Sequence, residues 1–311
     1  MAIIKATAEQ LIKITRDRAG VTDSDQDGTT DDDILDFING EMFDNVIPGI
    51  MATNEKDYAT TEVIPFVANK SRYHIPNRCM FDRVFDVKRQ TADGQIYPLK
   101  LTMSQELDDI DVDDTDESPW GIYFEGRYMV TVPAIGSELD GGLRVTYCFR
   151  PGELTYASGC AQVQTVDLTT NTVVLNRAMP TDWSTANKFD IHSDFGGHDM
   201  KAWNLTATVA AGSTLTFSQK IDGTAMGNPV EVGDWVCLEG EAALTGLPQD
   251  MNIALVQAAV ATISESAGDF DKRDRHLQNY ERRMQRSGVI LENQVRGVPY
   301  RSSLKRGIWT S

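Results

Sequence analysis

The 311-residue sequence predicts an α+β fold: a helical bundle with a long C-terminal helix, a β-rich region and an inserted small all-β domain. Three observations predict it. One apolar row repeats every seven residues near the C-terminus, alternating segments with Gly-containing turns fill residues 61–149, and a Thr-, Val- and Gly-rich stretch follows at 155–240. The predicted parts are residues 1–154 for the helices and β-rich part of the body, 155–246 for the inserted β-domain, 247–294 for the long helix and 295–311 for an extended basic arm.

The long helix is predicted from Leu247 to Glu292, with Leu247-Pro248 at its start. Its first half is apolar over a wide face and its second half over a narrow one, so we expect burial first and exposure or a partner later. Gly268 and Gly288 weaken the helix, and two ordinary helices are the alternative. The repeating row is formed by Val256, Ile263, Phe270, Leu277, Met284 and Leu291.

Two shorter amphipathic helices are predicted near the N-terminus. The first covers Ala8–Arg18 and ends at Gly20. The second covers Asp31–Ile47, is capped by Thr30 or Asp31, and is ended by Pro48-Gly49.

Strands are predicted where apolar residues alternate between turn residues. Asp93-Gly94 and Glu125-Gly126 predict hairpins, and the irregular pattern from Phe81 to Val87 predicts either a bulge or two buried faces. The short strands between Thr155 and Gly240 predict a small barrel or sandwich. The other strands are predicted at Thr61–Phe66, Ser71–Ile75, Phe81–Lys88, Gln95–Met103, Trp120–Phe124, Arg127–Val132 and Leu143–Phe149.

The charge of the chain is unevenly distributed around a net value of −17. From Asp271 onward there are ten Lys and Arg against four Asp and Glu, a balance of +6, whereas the rest carries −23. An acidic body of this kind is not expected to bind nucleic acid over its whole surface, and the basic end suits an acidic partner. A solvated acidic surface with a basic helix face is the alternative.

The sequence carries no familiar catalytic motif. It contains no G-x-S-x-G, G-x-G-x-x-G, Walker A or H-E-x-x-H pattern, so we expect no enzyme activity and no organic cofactor. His192 and His198 lie near each other, but their spacing is poor for zinc. The four cysteines are widely spaced and predict free, buried thiols. No apolar run is long enough for a membrane helix, and the N-terminus lacks the apolar core of a signal peptide.

One acidic loop has the pattern of a calcium ligand set. Asp23, Asp25, Asp27 and Asp31 place carboxylates at alternating positions, with Gly28 at the sharp turn. The twelfth position of such a loop, usually Glu, is Ile34. The four aspartates are candidate calcium ligands, and a polar loop in which Asp31 caps the next helix is the alternative.

Several segments together resemble the head–tail adaptor, or connector, proteins of tailed bacteriophages. Each segment is weak alone, but together they follow the family order and cover about two thirds of the chain. The stretch at residues 155–240 lies outside the common pattern. The resembling segments are Asp31–Asn39, Tyr73–Pro76, Phe85–Val87, Tyr123–Pro133, Leu143–Tyr147, Arg150–Leu154 and the helix start at Leu247-Pro248.

The resemblance implies a virion structural protein located in the neck, between capsid and tail, and assembled in the host cytoplasm. It implies a ring, usually of twelve copies, beneath the portal protein and above a downstream tail or neck protein. DNA would pass through the ring without sequence-specific binding. Adaptors of this kind often insert their C-terminal segment into the portal, and we expect the basic arm to do so through Arg296, Tyr300, Arg301, Leu304, Lys305, Arg306, Ile308 and Trp309.

Other functions remain open from the sequence. A calcium-binding, β-rich adhesion module would use the acidic loop and the β-rich insert. A stopper or tail terminator would occupy a neighbouring place in the same neck. An enzyme with an unrecognised carboxylate site is a third class, and a tail without a partner is the alternative for the arm.

Overall fold

The computed structural model describes residues 6–21, 29–53, 58–102, 118–136, 139–224 and 228–296, and only the backbone of 287–296. The fold is mixed α+β, as predicted. The chain forms two compact units. The first contains Met1–Asp57, Pro151–Gln219 and Val230–Ser311, and the second contains Tyr58–Arg150 and Lys220–Pro229. Whether residues 155–246 fold as a separate domain stays a prediction.

The helices of the first unit pack around one apolar helix. Their bounds are α1 Ala8–Ala19, α2 Asp31–Glu41, α3 Ile47–Thr53, α4 Asn252–Ser266 and α5 Phe270–Arg296, with a 3₁₀ turn at Gln249–Met251 before α4. The central helix is α4, which is so apolar that Ala254, Leu255, Val256, Ala259 and Val260 are all buried. It contacts α1, α2 and α5, and α3 also contacts α5.

The start of α2 is fixed by a reciprocal cap. The Thr30 hydroxyl accepts the Asp33 N–H at 3.1 Å, and the Asp33 carboxylate accepts the Thr30 N–H at 2.8 Å. These bonds satisfy helix donors that would otherwise lack a partner. Thr30 is therefore the cap, as one of the two predicted candidates.

The helical path continues past Pro48, contrary to the predicted end at Pro48-Gly49. A π turn, Met42–Val46, joins α2 to α3, and the Ile47 N–H donates to the Met42 carbonyl. A proline inside a helix lacks a donor and clashes with the preceding turn, and a π turn is a common accommodation. At Gly49 the helix α3 packs closely on α5: a Cβ at this position would lie 2.5 Å from the Met284 Cε of α5.

The segment predicted as one long helix forms two helices in the structure, which was the stated alternative. The Asp269 N–H donates to the Ser264 carbonyl and the Gly268 N–H to the Glu265 carbonyl, which is the Schellman pattern of a helix end. Gly268 has a φ of +76°, a conformation that favours glycine. The Asp269 carboxylate then accepts the Lys272 N–H at 3.1 Å and begins α5. Gly288, in contrast, lies within α5.

The second unit contains two four-stranded sheets. Their strands are β1 Ala59–Pro65, β2 Arg72–His74, β3 Cys79–Gln90, β4 Ile96–Pro98, β5 Lys100–Leu101, β6 Gly121–Glu125, β7 Tyr128–Val132 and β8 Gly142–Phe149. The strand orders are β1-β8-β3-β4 and β2-β7-β6-β5. Gly94 and Gly126 adopt positive φ in the two predicted hairpin turns, β3–β4 and β6–β7. The predicted bulge is present, because Phe81 and Asp82 have positive φ and the β3–β8 register shifts beside them.

The β-rich insert contains a closed six-stranded barrel, as one of the two predicted architectures. A parallel pair, β9 Glu153–Leu154 and β16 Glu241–Ala242, lies at the two ends of the insert. The barrel strands are β10 Ala161–Asp167, β11 Thr172–Leu175, β12 Lys188–His192, β13 Met200–Ala211, β14 Thr214–Phe217 and β15 Trp235–Leu238. Their order around the barrel is β10-β11-β14-β13-β12-β15.

Two buried polar side chains of β12 are satisfied by backbone groups. The Asp190 carboxylate accepts the N–H groups of Asn204 and Gly240, each at 2.9 Å. His192 accepts the Ala243 N–H at its Nε2, 3.1 Å away, and its Nδ1 lies 3.0 Å from the Ser193 carbonyl. These hydrogen bonds join β12 to neighbouring segments of the chain. They also satisfy both side chains, since a buried polar atom without a hydrogen bond is destabilising.

All four cysteines are free and buried, as predicted. Among the helices within the described ranges, none combines the length and apolar character needed to cross a bilayer.

Candidate functional site

The helix α5 presents a basic stripe to solvent. Arg275, Arg282 and Arg286 are exposed and follow one another at intervals of seven and four residues. At 100° per residue these three positions fall within roughly 40° of one another on the helix surface. Within the described part of the chain, no ion pair or hydrogen bond engages these three side chains.

The opposite outward flank of α5 carries exposed apolar residues. Phe270 and Leu277 are 56% and 42% exposed. They continue the seven-residue row that begins in α4, where Val256 and Ile263 are 2% and 3% exposed. The row therefore passes from the core to the surface at the α4–α5 break, in agreement with the prediction that only its first half is buried.

Several positively charged side chains lie where α5 contacts the C-terminal end of α1. The Lys272 Nζ donates to the Ala19 carbonyl, a favourable contact for a cation at a helix C-terminus. Burial and then the nearby Arg283 lower the pKa of Arg18. Burial, followed by the charges of Lys272, Arg18 and Arg275, lowers the pKa of His276. Several positive charges of α5 and α1 thus lie close together on this side of α5.

The exposed side of α2 has the opposite charge. Asp32, Asp36 and Asp44 are exposed at intervals of four and eight residues along α2 and its π turn. Asp32 also accepts the Tyr156 hydroxyl at 2.8 Å, whereas Asp36 and Asp44 have no ion pair within the described residues. Like charges on one helix face repel one another, so this surface is also suited to an oppositely charged partner.

Gly40 lies in the middle of this acidic face. A Cβ built at Gly40 meets no atom within 4 Å, so no neighbouring group in the described chain requires glycine there. Glycine inside a helix costs about 1 kcal/mol relative to alanine. A small residue on an exposed helix face permits close approach of another chain.

The predicted calcium ligands are only partly described. Asp23, Asp25 and Asp27 lie outside the described residues. Asp31 is exposed and its carboxylate forms an ion pair with Arg16 of α1. The described residues contain no cluster of three or more His, Cys, Asp or Glu side chains suited to a metal ion. The calcium loop stays a prediction.

The predicted portal arm also falls mostly outside the described residues. Arg296 is the last residue of α5, so the chain is still helical where the extended arm was predicted to begin. The reason is local: the first strong helix breakers in this region are Gly297 and Pro299. The remaining predicted anchors, none of which the structure describes, are Tyr300, Arg301, Leu304, Lys305, Arg306, Ile308 and Trp309.

The His192–His198 pair is not arranged as a metal site. His192 is fully buried, and its two ring nitrogens lie within hydrogen-bond distance of the Ser193 carbonyl and the Ala243 N–H. Burial lowers its pKa to about 4. His192 is therefore a neutral structural residue of the barrel.

Sequence reasoning allowed a break at Gly268 but missed two features that shape this surface. Asp269 follows Gly268 and begins the next helix, and a Gly-Asp pair is a readable end-and-restart signal for two helices. The spacing of Asp32, Asp36 and Asp44 was also readable, but eight-residue spacing holds one face only because a π turn intervenes.

Comparison with known proteins adds no relative. No protein-family model matches the chain, and no curated protein matches it significantly.

Proposed function

We propose that this protein is a head–tail adaptor of a tailed bacteriophage, a virion structural protein that forms a ring of about twelve copies beneath the portal. The copy number is that of the family the sequence resembles. In this proposal α2, α4 and α5 form the helical wall of the ring, a bundle completed by neighbouring copies. The ring gives DNA a channel and gives the tail a platform for attachment.

The observation that carries the proposal is the exposed outer surface of α5. An apolar row that is buried in α4 emerges into solvent at Phe270 and Leu277, and the other flank is basic. Exposed apolar residues at a regular helical spacing are typical of helices that pack on a partner. A structural subunit that is completed by assembly requires such a surface.

The charge distribution supports the same function. The chain has a net charge of −17, and a channel that must let DNA slide is better acidic than basic, because Lys and Arg hold DNA through its phosphates. The positive charge is concentrated in α5 and the residues that follow it. We place those residues at protein contacts, with the portal as the acceptor of the basic arm.

The test is to mix the purified protein with its portal and to image the product. The proposal expects closed rings coaxial with the portal, and about twelve copies per virion by quantitative mass spectrometry. Formation of the ring can require the portal as a template, so a monomer in isolation agrees with the proposal. One or a few copies per virion would contradict it.

A stopper or tail terminator is separated from an adaptor by its binding order. An adaptor binds portal-bearing heads that lack every other neck protein. A stopper or terminator binds only after the adaptor or the tail tube is present. Binding to bare portal-bearing heads is therefore the expected result, and a requirement for another neck protein would reassign the role.

A further inference from the structure

The two charged surfaces of the first unit match each other in length and spacing. Arg286, Arg282 and Arg275 are separated by four and seven residues on α5. At about 1.5 Å per residue these are steps of about 6 and 10.5 Å. Asp32, Asp36 and Asp44 are separated by four and eight residues, or about 6 and at most about 12 Å, since a π turn rises less per residue.

The matching order is antiparallel. If α5 runs opposite to α2, then Arg286 faces Asp32, Arg282 faces Asp36 and Arg275 faces Asp44. Gly40 then faces the middle of the Arg stripe, beside Asn279. The absence of a side chain at Gly40 lets the two helix backbones approach closely, as small residues do at helix contacts.

Resting on the proposed function, we propose that α5 of one copy docks antiparallel on α2 of the next copy, and that these Arg–Asp pairs set the register of the ring. The occupant of the basic stripe is thus a second copy of this chain. Two different surfaces meet in this contact, so it can propagate head to tail and close into a ring.

Charge complementarity distinguishes this occupant from DNA. DNA would engage the basic stripe but would leave the acidic face of α2 and the open side of Gly40 without a function. A second copy uses all three features. Complementary charges of this kind fix register and suppress wrong pairings more than they add affinity.

The decisive test uses complementary charge reversal. One full-length chain carries Arg282→Glu and the other carries Asp36→Lys. Both positions are exposed, so both variants are expected to fold, which thermal melting checks before assembly. Lys188→Glu, at an exposed position of the barrel strand β12, is the matched control and should assemble normally.

Assembly is measured as copies per portal-bearing head by quantitative mass spectrometry. Each charge-reversed chain alone should lose at least tenfold in bound copies. An equimolar mixture should recover most of the wild-type number, because the two reversed side chains then face each other at every second contact and the native Arg282–Asp36 pair forms at the remaining ones. Normal assembly of either variant alone, or a mixture no better than its parts, would overturn the inference.

A DNA contact has a different signature. It would make Arg282→Glu defective whether or not the Asp36→Lys chain is present, and Asp36→Lys alone would assemble normally. Either outcome overturns the proposed contact. Wild-type protein that forms no ring on the portal would instead refute the proposed function, so the two failures are distinguishable.

Cross-linking tests the symmetry of the contact. A chain with Asp36→Cys and Arg282→Cys, which keeps Gly40 and the other two Arg–Asp pairs, should form a ladder of covalent multimers in assembled particles after treatment with a short bismaleimide. The four native cysteines are buried and contribute little background. Each single-cysteine chain should stay monomeric. A product that stops at dimers in the double variant would indicate a reciprocal twofold contact and would overturn head-to-tail docking.

Discussion

The helices α4 and α5 come from one continuous sequence pattern but have opposite environments. In α4 the apolar row is buried by α1, α2 and α5, whereas in α5 the same row is exposed at Phe270 and Leu277. After the break at Gly268 the row points to solvent at these two residues instead of into the core of the unit. A heptad pattern therefore specifies that a helix has an apolar face. It does not specify whether that face is buried by residues of the same copy or by another protein, which depends on the tertiary structure.

The largest difference is expected between two leucines. Leu255 is fully buried in α4, and Leu255→Ala should lower the free energy of unfolding by roughly 2–5 kcal/mol through lost burial and a cavity. Leu277→Ala in α5 should lower it by only about 1 kcal/mol, because the side chain is 42% exposed and leaves no closed cavity. Urea denaturation of the purified chain measures both. Equal losses would remove the contrast between the two helices.

A histidine of the barrel and a histidine of α5 should contribute differently to the loss of stability in acid. Burial lowers the pKa of His192 to about 4, against about 6.5 in an unfolded chain. As pH falls through 6.5 the unfolded state binds the proton first, so stability is lost between about pH 6.5 and 4. At 1.36 kcal/mol per pKa unit this loss is about 3 kcal/mol.

The control for this pH dependence is His192→Gln, which cannot take up the proton. The comparison is the slope of unfolding free energy against pH in the two proteins. The slope of the wild type should exceed that of His192→Gln over this interval. In α5, burial and neighbouring cations lower the pKa of His276 in the same direction, so His276→Gln should reduce the slope by a smaller amount. Identical slopes in wild type and His192→Gln would contradict the assignment of a neutral, buried His192.

The contact between α3 and α5 depends on a missing side chain. Gly49→Ala places a Cβ 2.5 Å from the current position of the Met284 Cε, the end of a flexible side chain that must move aside, so the net cost should be about 1 kcal/mol or less. Met284→Ala should remove most of that cost, so a double-mutant cycle should show coupling between the two positions. Additive effects in the cycle would mean that α5 does not rest on Gly49.

Two glycines of the predicted long helix should respond with opposite signs. Gly268→Ala should destabilise the protein by about 1 kcal/mol or more, because its φ of +76° is unfavourable for alanine. Gly288→Ala should stabilise it by about 1 kcal/mol, because Gly288 lies within α5. Thermal melting of the two single variants measures the signs. Stabilisation by Gly268→Ala would indicate that α4 and α5 can join into one helix.

Local sequence patterns predicted many of the secondary-structure elements and turns. The hairpins at Gly94 and Gly126 were predictable because glycine marks the positive φ that their turns require. The helix through Pro48 was not, because the proline is accommodated by a π turn that the sequence pattern does not mark. Closure of the barrel also depends on long-range pairing, such as that of β10 with β15.

The sequence alone predicted only part of the candidate surface. The narrow apolar row predicted exposure in α5, because too few apolar residues remain there to cover a core-facing side. The pairing of the Arg stripe with the acidic face of α2 requires knowing that both are exposed, which follows from the tertiary structure. The calcium loop and the C-terminal arm remain predictions from sequence.

The central claim is that the outer side of α5 is covered by another protein after assembly. Hydroxyl-radical footprinting of the free chain and of assembled virions tests it most directly. Phe270 and Leu277 should be modified in the free chain and protected in the virion, whereas Val256 and Ile263 should be protected in both. Phe195, which is 71% exposed in the first unit, provides an internal reference for labelling of the free chain. Equal modification of Phe270 and Leu277 in the free chain and in the virion would contradict the account.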